Sequence, residues 1–149
     1  SHVIAKWGNE PVLQFDPPDN AAPLPPNLPL AGRTLNNSPK WSISSGAHYE
    51  HSVGDTLKAF IDIGASYRTS VIAGANLNAA KAQGDLLLVN GRIGLLQDTE
   101  NGWELALWGT NLTGEYYRIV AFDSFFQNGS ISEFPGEPRT YGVTLRKEF

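Results

Sequence analysis

The sequence predicts an all-β fold, an antiparallel meander of about five long strands with no substantial helix. Three observations carry it. Beyond residue 40, apolar and polar residues alternate with period two. The connections between the alternating stretches run short, long, short, long. Proline, which fixes φ and lacks an N–H donor, is crowded out of the alternating region, eight of the ten falling in the first 39 residues.

Residues 1–38 therefore read as a proline-rich loop or linker, with strand content limited to 3–7 or 12–15. In the first strand Trp41, Ile43, Ser45, Ala47 and Tyr49 alternate with Ser42, Ser44, Gly46, His48 and Glu50. Residues 51–55 supply a turn. Alternation then resumes, with Leu57, Ala59, Ile61, Ile63, Ala65 and Tyr67 opposed to Lys58, Phe60, Asp62, Gly64, Ser66 and Arg68, which completes a hairpin. Residues 69–84, rich in Ala, Asn and Gly, read as a loop with room for one helical turn around 79–82. The third strand sets Leu87, Val89, Gly91, Ile93 and Leu95 against Leu86, Leu88, Asn90, Arg92, Gly94 and Leu96. Residues 98–102 are a tight turn in which Asn101-Gly102 offers positive φ. Trp103, Leu105 and Leu107 then oppose Glu104, Ala106 and Trp108. The long connection 113–138 carries Tyr116, Tyr117, Phe122, Phe125, Phe126 and Phe134. In the last strand Tyr141, Val143, Leu145 and Phe149 face away from Thr140, Gly142, Thr144, Arg146 and Glu148, with Lys147 breaking the apolar row.

Strands of this length match the roughly 9 to 11 tilted residues that cross a bilayer, and the loop rhythm matches short turns on one rim of a transmembrane β-barrel and long loops on the other. Aromatic residues at strand ends (Trp41, Tyr49, Tyr67, Trp103, Tyr141, Phe149) fall where an interfacial girdle lies. Period and rhythm alone also fit a soluble β-sandwich or small barrel, a binding module gripping its ligand with an exposed aromatic cluster. Five strands are too few to close a membrane barrel, which needs about eight. The missing initiator Met before Ser1-His2 reads as a processed chain or a piece of a larger one.

Composition narrows the chemistry. Without cysteine the chain has no disulfide framework and no thiolate metal site, and a net charge of -4 argues against nucleic acid as a partner. His48 and His51 are three apart on a strand, hence on opposite faces, and cannot chelate a metal together. No acid/base carboxylate pair, nucleophile elbow or triad order is visible, so neither enzyme activity nor a cofactor is expected.

Four ordered stretches carry a family resemblance: Leu30-Ala-Gly-Arg-Thr-Leu-Asn-Asn-Ser-Pro-Lys-Trp41, Leu88-Val-Asn-Gly-Arg-Ile-Gly94, Trp103-Glu-Leu-Ala-Leu-Trp-Gly-Thr-Asn-Leu-Thr113 and Pro135-Gly-Glu-Pro-Arg-Thr-Tyr-Gly-Val-Thr-Leu-Arg-Lys-Glu-Phe149. In order and spacing the chain resembles the carboxyl-terminal portion of TonB-dependent outer-membrane receptors. The resemblance implies the last strands of a larger barrel in the bacterial outer membrane, importing a siderophore or another scarce nutrient. It implies partners of four kinds: outer-membrane lipid, the barrel assembly machinery, a small nutrient ligand, and an energy-coupling complex reached only through a plug that has no counterpart here. It places residues 1–38, 69–84 and 113–138 outside the cell and the short turns in the periplasm. Tyr141, Val143, Leu145 and Phe149 resemble the signal read by the assembly machinery. Tyr117, Arg118, Phe122, Phe125 and Phe126, beside Asp123 and Gln127, are candidate ligand contacts, since aromatics with an Arg grip an aromatic chelate or a sugar ring. Asn111-Leu-Thr113 matches a glycosylation acceptor in form, an idle reading in a bacterial protein. In water the row Ile61, Ile63, Trp103, Leu105 and Leu107 favours self-association of the isolated piece.

Overall fold

The structure, a computed structural model, describes Val12, Leu13, Asn27, Leu28 and residues 32–75, 77–124, 127 and 129–147. The expected strand at 3–7, as well as Phe125, Phe126 and Phe149, lies outside the described residues. Strands β1 (Val12–Leu13) and β2 (Asn27–Leu28) pair antiparallel in the proline-rich segment. The long strands are β3 (Ser42–Ser52) and β4 (Leu57–Arg68). Between them and the next long strand come β5 (Val71–Ile72), a 3-10 turn at Ala79–Lys81 and β6 (Ala82–Gln83). The chain continues through β7 (Leu86–Gln97), β8 (Trp103–Thr110), β9 (Arg118–Asp123), β10 (Ile131–Pro135) and β11 (Thr140–Lys147).

The fold is all-β. Five strands form one antiparallel sheet in the order β11-β8-β7-β4-β3, the meander expected from period two. Each short turn joins neighbours. The sheet is open among the described residues, with β3 and β11 at its edges. Its register sets Ile93 beside Leu107 beside Val143, and Leu95 beside Leu105 beside Leu145. One step away, Gly94, Ala106 and Thr144 align on the opposite face.

The described chain gathers into two compact units. One contains residues 43–67, 87–115 and 137–149, which is most of the long sheet and its short turns. The other contains residues 1–42, 68–86 and 116–136, which is the amino-terminal segment and both long connections.

Three local expectations change. The connection 113–138 is not a loop throughout: β9 and β10 pair as an antiparallel hairpin, with Phe134 opposite Val120 and a bulge before Pro135, whose missing N–H cannot continue the ladder. The turn 98–102 does not use positive φ; the left-handed residues of the described chain are Gly32, Asn37, Leu77, Asn111, Gly114 and Gly129. Gly102 is needed there for space, because a Cβ would run into the carbonyl of Gln97. His51 belongs to β3 rather than to a turn, and its ring stacks on Tyr49. Around 79–82 the helical content is a single 3-10 turn, capped where the Asn78 side chain accepts the Ala80 N–H at 2.9 Å.

Candidate functional site

The sheet has two chemically distinct faces. The odd-numbered face is apolar, and it is the exposed one: Ile93, Leu107 and Val143, aligned across three strands, are 55%, 57% and 65% exposed. Ile43, Ile61, Ile63, Leu95, Leu105 and Leu145 extend it, and Trp41, Tyr49 and Tyr141 stand near strand ends. Exposed apolar faces of this extent are uncommon on monomeric proteins in water and mark surfaces of contact.

The even-numbered face is charged and more enclosed. His48 on β3 contacts Asp62 on β4 at 2.5 Å, and Glu50 lies 3.4 Å from the same ring. Asp62 stands 3.9 Å from Arg92 on β7, whose guanidinium also donates to Glu104 on β8. These contacts make a chain of ion pairs over four adjacent strands. Beneath Arg92 the ring of Phe60 sits 4.9 Å from the guanidinium, at 4% exposure beside the fully buried Ala106. Gly94 makes room for it, since a Cβ there would stand 2.7 Å from the Phe60 ring. This face thus holds the buried aromatic and the polar ladder, while the aliphatic rows point outward. At the short-turn end Lys58 pairs with Asp98 at 2.6 Å.

Just past β8 the chain makes a polar knot around Asn111, which adopts φ of 49° and is buried. Its amide donates to the carbonyls of Glu115 at 2.8 Å and Glu137 at 3.0 Å. Its Oδ1 accepts from Glu115 N–H at 3.0 Å and lies 3.2 Å from the Thr113 hydroxyl, whose single hydrogen also faces the Leu87 carbonyl at 2.8 Å. The Asn111 N–H donates to Asn90 Oδ1 and the Leu112 N–H to the Val89 carbonyl, tying the knot to β7.

In the unit of long connections, the β9–β10 hairpin is fastened to the connection 69–84. Lys81, 1% exposed, pairs with Asp123 among Val71, Ala73, Leu77 and Ala121, all buried. Ala121 N–H donates to the Ala73 carbonyl, Arg118 N–H to Gln83 Oε1 and Arg118 Nη1 to the Ala80 carbonyl. Arg118 also pairs with Glu133 at 3.1 Å, and the Tyr116 hydroxyl donates to the same carboxylate, which pushes the Tyr116 phenol above its ordinary range.

The ligand-contact candidates from the sequence separate accordingly. Arg118 is committed to Glu133 and Ala80, and the Tyr117 ring lies across Gly136. Phe122 is exposed on β9, and its ring centroid is 5.8 Å from that of Phe134, which the candidate set omitted. With Val120 these rings form an exposed apolar strip on the outer face of the hairpin. Phe125 and Phe126 lie outside the described residues. Tyr141, Val143 and Leu145 are exposed along the edge strand β11, while Phe149 lies outside the described residues. Asn111, Lys81 and Phe60 were not singled out from sequence; the full apportioning of the Asn111 amide depends on Glu137, far along the chain. Among the described residues no group of acidic or histidine side chains is placed to hold a metal ion.

No protein-family model, curated protein or solved structure matches the chain.

Proposed function

We propose that the chain is the carboxyl-terminal barrel segment of a TonB-dependent outer-membrane receptor, contributing membrane-crossing strands and two extracellular connections to the uptake of a siderophore or another scarce nutrient. The family part rests on the four ordered sequence stretches. The observation that carries the membrane part is the inversion of the sheet: aliphatic rows outward, with the His48–Asp62–Arg92–Glu104 ladder and Phe60 on the other face. Lipid solvates the first face and a wet lumen the second. A soluble sandwich requires the reverse, with Ile93, Leu107 and Val143 packed against a second sheet.

On this reading β3, β4, β7, β8 and β11 cross the bilayer, and the open edges of the sheet are completed by the remaining strands of the receptor. Tyr141, Val143 and Leu145, with Phe149, present the edge that the assembly machinery engages. The Phe122–Phe134 strip faces the cell exterior and meets the nutrient with its ring faces; Phe125 and Phe126 belong to the same connection. On this reading the chain acts in binding and passage.

The test uses the full receptor in its own outer membrane. Uptake of the nutrient should fall to background when the energy-coupling complex is removed, and the receptor should remain in the membrane fraction after an alkaline wash. A chain released by the wash, or uptake indifferent to the coupling complex, contradicts the proposal. Phe122→Ala with Phe134→Ala should lower uptake without lowering the amount of folded receptor; unchanged uptake removes the strip from the ligand path.

A further inference from the structure

The unit of long connections contains a cleft of about 420 Å³, within the size range of small-molecule sites, which none of the preceding argument uses. Three chain segments wall it, and they are tied to one another by main-chain bonds. Asn37 N–H donates to the Ile72 carbonyl at 3.0 Å, Thr69 N–H to the Trp41 carbonyl at 3.1 Å, and Trp41 N–H back to Thr69 Oγ1 at 3.2 Å. Ser70 N–H donates to Asp85 Oδ1 at 2.8 Å. Such cross-ties fix the walls before any ligand arrives, which lowers the ordering cost of binding.

The lining is divided by polarity. Val71 and Leu77 are buried and Leu35 is half-buried, giving an apolar floor. Thr34 and Ser70 are exposed and Ser38 is half-buried, giving a rim of hydroxyls. The two charged groups differ in their commitments. Asp85 is held by the Ser70 N–H, whereas Lys40, exposed at the cleft, makes no ion pair among the described residues. A pyranose ring has a matching division, with C–H bonds on one face and hydroxyls at its edge. The exposed Lys40 ammonium adds a preference for negative charge.

We propose that this cleft binds a monosaccharide carrying one acidic group, a carboxylate or a phosphate. The C–H face of the sugar rests on Val71 and Leu77, its hydroxyls exchange hydrogen bonds with Thr34, Ser38 and Ser70, and its anion pairs with Lys40. The assignment stands on the cleft alone and does not require the membrane reading.

Saturation-transfer NMR on the folded full-length protein that contains this chain, with glucuronic acid, glucose 6-phosphate, glucose and inorganic phosphate as probes, tests it. Both acidic sugars should bind, at least tenfold more tightly than glucose and than inorganic phosphate. Lys40→Gln should weaken the acidic sugars by roughly tenfold, the size of one charge-assisted hydrogen bond, while Lys40→Arg retains them. Equal affinity for glucose, equal affinity for inorganic phosphate, no saturation transfer to either acidic sugar, or an unchanged affinity in a folded Lys40→Gln chain each overturns the proposal. Should Lys40→Gln fail to fold, acetylation of the lysines of the folded wild-type chain replaces it: retained affinity overturns the proposal, and loss that bound glucuronic acid protects against supports it.

Discussion

Replacing Asn111 by Ala puts the polar knot after β8 to a quantitative test. Three of the side-chain bonds of Asn111 go to backbone groups, namely the Glu115 and Glu137 carbonyls and the Glu115 N–H. At about 1 kcal/mol net for each, their loss costs about 3 kcal/mol. The hydroxyl of Thr113 is excluded from this sum because its single hydrogen is satisfied by the Leu87 carbonyl at 2.8 Å. A further cost of about 1 kcal/mol comes from holding an alanine at φ of 49°, a conformation that Asn tolerates better. The expected destabilisation is therefore about 4 kcal/mol. Asn78→Ala serves as the comparison, because its capping bond to Ala80 N–H is worth about 1 kcal/mol. Urea unfolding of the chain in lipid vesicles, followed by fluorescence of the tryptophans, reads both. A loss for Asn111→Ala no larger than that for Asn78→Ala would refute the assignment of Asn111 as the fastening of β8 to the start of β11.

Lys81→Met alone removes the cation paired with the buried Asp123 carboxylate and should cost about 3 to 5 kcal/mol, whereas Lys81→Met combined with Asp123→Leu should recover most of it; urea midpoints that fall equally for the single and double variants would contradict the buried pair. Phe60→Ala should cost about 3 to 4 kcal/mol, and Gly94→Val should be comparably damaging because the added side chain meets the Phe60 ring; a tolerated Gly94→Val would mean that Phe60 does not occupy that place. The Tyr116 phenol is raised by its bond to Glu133, so the contribution of that bond to stability is complete below about pH 10 and disappears as pH rises through the elevated value. The ultraviolet titration difference between the parent chain and Tyr116→Phe should move to lower pH in a Glu133→Gln background; no movement would dissociate the two groups.

The five long strands were legible because period two is a local property: each row from Trp41 to Tyr49, Leu57 to Tyr67 and Leu87 to Leu95 declares its faces within a few residues. The β9–β10 hairpin was hidden for the same reason in reverse, since Ile119, Val120, Ala121 and Phe122 are apolar on both faces and show no alternation. Its aromatics suggested ligand contact, and only the pairing of Val120 with Phe134 brings Phe134 beside Phe122. Lys81 and Asp123 are 42 residues apart, and no periodicity relates them; their partnership arises from the docking of one connection on the other. Asn111 carried a local pattern that pointed elsewhere, the glycosylation triplet, while its partner Glu137 lies 26 residues away. Arg118 stood out in the sequence by its aromatic neighbours, while its pairing with Glu133, 15 residues on, follows from the β9–β10 hairpin and not from any local pattern.

The central claim is that lipid covers the odd-numbered face of the sheet and water the even-numbered face. The chain contains no cysteine, so a single introduced thiol is unique within it, and any cysteine elsewhere in the receptor is first replaced by serine. Cysteines placed singly at Ile93, Leu105, Leu107 and Val143, and at Arg92, Glu104 and Thr144, should be compared in the receptor reconstituted in vesicles. The account predicts that the first set is shielded from a charged maleimide and that fluorophores attached there in detergent before reconstitution are quenched by lipid-borne spin labels, while the second set reacts with the maleimide and escapes the quencher. Rapid maleimide reaction at Leu105, Leu107 and Val143 with no lipid quenching would contradict it.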